Sequence, residues 1–163
     1  MPHWQKKGKL MQRFVTLLFV VVFVSVVQVN AQQTTAATTT QSVSDAELIK
    51  QTALDYIEGW YENNPERMER ALHPDLAKRI VNSDGKGRYS LGQMSAMGLV
   101  QATRSHTPTP KDKQQKDVTV LDIFNNAASA KIVASEWVDY LHLAKWRGRW
   151  VIVNVLWELK PAP

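Results

Sequence analysis

No cysteine occurs among these 163 residues. Disulfide stapling is excluded, and the fold has to be held by its own hydrophobic core. Histidine is scarce, and His73, His106 and His142 show no ligand spacing, so no metal is expected. No glycine-rich phosphate loop follows a strand. No Ser-His-Asp or Cys-His constellation is in view, and no cofactor is expected.

Acidic residues are missing from the first 31 positions, whereas Lys6, Lys7, Lys9 and Arg13 fall there. Four of the twenty basic and none of the fifteen acidic residues therefore lie in that segment, leaving sixteen against fifteen, a net +1 rather than +5. A basic balance concentrated in that segment is no sign of nucleic-acid binding, and none is expected.

What is present begins with an export pattern. The basic stretch precedes an almost wholly apolar run from Phe14 to Val29, and Val29-Asn30-Ala31 offers small residues for cleavage before Gln32. Residues 1–31 are read as a signal peptide, with the product exported to the periplasm or secreted and not stably inserted in a membrane. The alternative is a permanent anchor at residues 14–29. Sixteen residues of helix span about 24 Å, short of a hydrocarbon core of about 30 Å. Residues 32–43 (QQTTAATTTQSV) are polar and low in complexity, a flexible linker. Residues 44–160 then make one domain of ordinary size without solenoid repeats.

Ser44 with Glu47 forms a capping box, and the helix it opens puts Ile49, Ala53, Tyr56, Ile57 and Trp60 on one face. Asn64 caps a second, short helix with Pro65 at its first position and Met68, Ala71 and Leu72 inward. It ends near His73-Pro74. Asn82 to Arg88 reads as a loop, and Ser90 with Gln93 as the cap of a third helix bearing Leu91, Met94, Met97 and Leu99 or Val100.

From Asn125 to Lys160 the pattern changes to apolar, β-branched and aromatic runs broken at Asn125-Asn126, Ser135-Glu136 and Arg147-Gly148. If all three are two-residue turns, Ile123 faces Ala128, Ile132 faces Asp139, Leu143 faces Ile152, and Asp139 also faces Leu156. One face then collects Thr119, Leu121, Ile123, Ala128, Ala130, Ile132, Trp137, Asp139, Leu141, Leu143, Trp150, Ile152, Asn154, Leu156 and Glu158. It is the expected core face. The other carries an apolar row of Val138, Tyr140, Val151, Val153, Val155 and Trp157. Such a patch marks an interface more often than bare surface, so a homodimer through it is expected.

Tyr56-Ile57 with Gly59-Trp60-Tyr61, Ala71-Leu72-His73-Pro74, and Asp139-Tyr140-Leu141-His142-Leu143 with Gly148, Trp150, Ile152 and Trp157 resemble the Putative lumazine-binding family. That family belongs to the nuclear transport factor 2-like superfamily. The resemblance implies an α+β fold in which three N-terminal helices pack in a curved antiparallel sheet, the cystatin-like cone. It implies no particular activity, since relatives include isomerases, dehydratases and non-catalytic binding modules.

Asp139 on the core face has two readings: a hydrogen-bonded structural carboxylate, or a pocket base. His73 either caps the preceding helix or serves as an acid or base at the cone's open end. His142 and His106 are discounted. Tyr56, Trp60, Met94, Met97, Trp137 and Asn154 are the expected contacts to a small apolar or aromatic ligand, the aromatics and methionines being core residues in the blander reading. The preferred function is a non-catalytic binding module. The alternative is an isomerase- or dehydratase-like enzyme using Asp139 and His73 without metal.

Overall fold

The computed structural model describes residues 43–162. The expected signal peptide (1–31) and, apart from Val43, the linker (32–43) lie outside the described residues.

Helix α1 (Asp45–Tyr61) starts where Ser44 Oγ accepts the amide of Glu47 at 3.2 Å. Its apolar stripe is buried: Ile49, Ala53 and Ile57 have no exposed surface. Burial of each such isoleucine stabilises by about 1.5–3 kcal/mol. Asn63 takes a positive φ as the chain turns, and Asn64 Oδ1 caps α2 (Pro65–Ala71) by accepting the Arg67 amide at 2.9 Å. The two helices meet at Gly59, where an added Cβ would lie 2.9 Å from the Met68 amide nitrogen.

The chain then departs from expectation. Leu72–Ser83 is a strand, β1, and Tyr89–Ser95 is its antiparallel hairpin partner β2. The third helix, α3 (Ala96–Ser105), is capped by Ser95, whose Oγ accepts the Gly98 amide at 3.2 Å. The spacing of Ser90 and Gln93 is met by chance. Pairing with β1 satisfies their backbone, and the ladder outweighs a local cap. Leu91, Met94 and Met97 are correspondingly exposed rather than a buried stripe, whereas Ala96, Leu99, Val100 and Thr103 are buried.

A 3-10 turn at Lys111–Lys113 leads into the meander β3 (Lys116–Phe124), β4 (Ala127–Ala134), β5 (Trp137–Trp146) and β6 (Arg149–Leu159). The expected turns are in place. Arg147 and Gly148 both have positive φ, as the tightest hairpin connection requires. The single sheet runs β2-β1-β6-β5-β4-β3. It is mixed rather than antiparallel throughout, because β1 joins the meander by pairing parallel to β6. Helix α1 packs on β3, β4 and β6, while α3 packs on the β1–β2 hairpin.

Two β-bulges alter the face assignments. On β3 the register shifts between Val120 and Asp122, so Val118, Val120 and Ile123 pack toward the core and Thr119 and Leu121 turn outward. On β6 it shifts between the partners of His142 and Leu143, which makes Asp139 face Trp157 instead of Leu156. Side chains alternate, so one extra residue exchanges the faces of everything beyond it. Val155, expected outside, is fully buried; Trp157 packs against the core; Leu156 is exposed, and Asn154 turns outward. Val151 is buried as well, which removes it from the expected outer row.

Candidate ligand site

A cavity of about 300 Å³ opens between the helices and the sheet, lined by Tyr56, Ile57 and Trp60 of α1, Met68, Lys78, Met94, Leu99, Trp137, Trp157 and Leu159, with Glu136 beside them. That volume lies at the lower end of ligand pockets, about 300–1,000 Å³. Tyr56 and Trp60 arrive one helical turn apart from a single stripe. Trp157 faces inward only because of the β6 bulge, which brings its ring to 4.7 Å from Lys78 Nζ.

The polar end of this apolar space is one cluster. Asp139 has no exposed surface. Its Oδ2 accepts the Trp137 indole N–H at 2.6 Å, and its Oδ1 accepts Lys78 Nζ at 2.9 Å and the Tyr56 hydroxyl at 3.3 Å. Lys78 Nζ also donates to the Tyr56 oxygen at 2.5 Å. A buried carboxylate is tolerable when a cation and further donors meet it, and here all three do. Burial, and then the Asp139 charge, hold the Tyr56 hydroxyl well above the usual phenol range. Burial lowers the Lys78 ammonium, opposed by Asp139. An ammonium has three donors. Two are engaged by hydrogen bonds within the cluster, which leaves one without a hydrogen-bond partner among the described residues.

Of the candidates read from sequence, Tyr56, Trp60, Met94 and Trp137 line this cavity, and Asp139 anchors its polar end. The others lie elsewhere. His73 and Met97 line a second cavity of about 310 Å³ with Leu72, Val100 and Arg149. The His73 Nδ1 accepts the Asp75 amide at 3.1 Å, and its ring meets Trp146 edge-on. Asn154 is turned out by the bulge, and its Oδ1 accepts Arg79 Nη1 at 2.7 Å. His106 stacks on Trp60 at 4.1 Å with its Nε2 buried and without a partner, and burial lowers its pKa.

Sequence reasoning missed Lys78 because β1 was not read as a strand. The usable signal was Asp139 itself, since a core-facing carboxylate calls for a cation or several hydrogen-bond donors. Among the described residues no cluster of metal-ligating side chains occurs, and no helix is long and apolar enough to cross a membrane.

Three helices against one face of a six-stranded mixed sheet, with a hollow between them, make a nuclear transport factor 2-like, cystatin-like α+β fold. The chain belongs to the family described as Putative lumazine-binding, whose model matches residues 44–158. A nuclear transport factor 2-like protein of unknown function from Methylobacillus flagellatus aligns with TM-score 0.60 and 24% identity over 74% of this chain and 97% of that one. Another from Shewanella baltica gives 0.58 and 23% over 71% and 94%. A ketosteroid isomerase-like protein from Erwinia carotovora gives 0.50 and 11% over 73% and 98%. At these identities the likeness is one of fold. No curated protein matches the chain.

Proposed function

We propose that this chain is an exported, non-catalytic binding module that holds a flat, mainly apolar molecule carrying a carbonyl or anionic oxygen. The observation that carries the reading is the pairing of an aromatic-walled cavity with a lysine, Lys78, held at its end by Asp139 and Tyr56. Trp60, Trp137 and Trp157 supply flat faces, and the spare Lys78 N–H supplies the directional contact. A pteridinedione such as lumazine, the ligand in the family's description, has this form: a flat bicycle with carbonyl acceptors.

The alternative, an acid–base enzyme using Asp139 and His73, requires both groups at one substrate. Asp139 is enclosed by its donors beside the first cavity, and His73 lines the second. Export rests on the basic and apolar pattern of residues 1–31. Pairing of two copies rests on what remains of the outer face: Tyr140 and Leu156 are cross-strand partners, each 48% exposed, with Val138 on the same side.

Tryptophan fluorescence tests the binding reading, because three of the walls are indoles. Titration with lumazine and with 2-naphthol is expected to give saturable quenching with one molecule per chain. Linear, non-saturating quenching by both would overturn the reading.

A further inference from the structure

The cavity's only lysine has a setting that hydrogen bonding alone does not require. The Lys78 side chain is 11% exposed, against 39% for Lys116 and 33% for Lys145. Its nitrogen stands 2.9 Å from a carboxylate and 2.5 Å from a hydroxyl at the end of an apolar space. We propose that the Lys78 amine captures an apolar aldehyde or ketone in this cavity as a reversible imine. The proposal rests on the ligand-binding reading above and narrows it to carbonyl compounds.

The groups needed to move protons are in place. Asp139 Oδ1 takes a proton from the Lys78 ammonium, and the freed lone pair forms the C–N bond to the carbonyl carbon. The displaced π pair goes to oxygen, which takes the Tyr56 proton, and the nitrogen then reprotonates Tyr56. Asp139 returns its proton through Tyr56, to which it is hydrogen bonded, to the carbinol oxygen, and water leaves as the nitrogen lone pair closes C=N. The carbonyl compound and the ammonium become a protonated imine and one water, with no change in oxidation state. The product cation keeps the position of the ammonium, facing Asp139 and over the Trp157 ring. Burial favours the neutral amine that the first step requires. The product would lie among mainly apolar walls of indole, methionine and aliphatic side chains.

The test is reductive trapping on the full chain at neutral pH with 2-naphthaldehyde and sodium cyanoborohydride, followed by intact-mass and peptide mass spectrometry. The expected result is one naphthylmethyl group per chain, mapped to Lys78 and prevented by excess 2-naphthol, which has the same flat body and no carbonyl. Lys78→Arg, which keeps a cation beside Asp139, is expected to abolish labelling at the site. Tyr56→Phe, with the fold checked by circular dichroism, is expected to slow it on the order of 10²-fold. Adducts scattered over exposed lysines with Lys78 unmodified overturn the proposal, and that readout needs no variant. If lumazine or 2-naphthol still quenches saturably in that case, only imine capture fails; if neither does, the binding reading fails too.

Discussion

Two side chains, Lys78 and Asp139, decide what the cavity costs and what it offers. Removing one member of a buried ion pair leaves the other uncompensated, at about 3–5 kcal/mol, whereas replacing both by apolar groups is often neutral. Lys78→Met is therefore expected to lower the unfolding free energy by about 3–5 kcal/mol. Lys78→Met with Asp139→Leu is expected to recover more than half of that loss in urea denaturation. Purely additive losses would show that the pair is not coupled. The same residues explain how legible the site was. Helical spacing places Tyr56 and Trp60 together, and strand alternation puts Trp137 and Asp139 on one face. Lys78 was hidden by a strand that begins one residue after a helix ends, with Pro74 inside it. Asn154 and Trp157 exchanged roles because a bulge leaves no mark in an apolar run that carries β-branched residues at every second position.

At the scale of elements, the α1–α2 corner depends on a close backbone approach and on one arginine. Gly59→Ala would press its methyl against the Met68 backbone, which cannot move aside as a flexible side chain would. A loss of about 1–3 kcal/mol is expected in thermal or urea unfolding. Arg67 of α2 donates to Asp55 at 2.9 Å, to Glu62 at 3.1 Å and to Glu58. Against burial, which raises it, Arg70 and Arg67 hold Asp55 below its ordinary value of 3.8. Lys116 and Arg67 do the same for Glu58, ordinarily 4.5. Depressed carboxylates give stability that is present above their unfolded values and lost as pH falls through the folded ones. Melting temperature should therefore fall as pH drops below about 4. In Arg67→Met that acid-side slope should flatten, and an unchanged slope would refute the clamp. Helices α1 and α2 were readable from caps and spacing because their signals are local. The β1–β2 hairpin was not: Tyr89–Ser95 has a helix-like cap, and only pairing with β1, the distant partner of β6, makes it a strand.

At the scale of the whole molecule, the β6 bulge moves Val155 and Trp157 inward, and Val151 is buried, so the outer apolar surface is smaller than the sequence row suggested. What is left has a defined form. Across the sheet, Arg79, Leu156, Tyr140 and Lys131 are successive partners, and the Lys131 ammonium lies 5.7 Å from the Tyr140 ring centroid. An apolar centre between charged neighbours has the anatomy of an interface: the centre loses water on association and the rim stays wet. A two-fold axis near the Tyr140–Leu156 pair would set each apolar centre on its copy. Light scattering of the processed chain should give twice the protomer mass, and N-terminal sequencing of the same sample should begin at Gln32. Tyr140→Glu with Leu156→Glu places like charges on both sides of that axis, and monomers with an unchanged circular dichroism spectrum are expected. A wild-type chain that is monomeric at tens of micromolar would show that this outer face is ordinary exposed surface. A chain beginning at Met1 would overturn the cleavage reading.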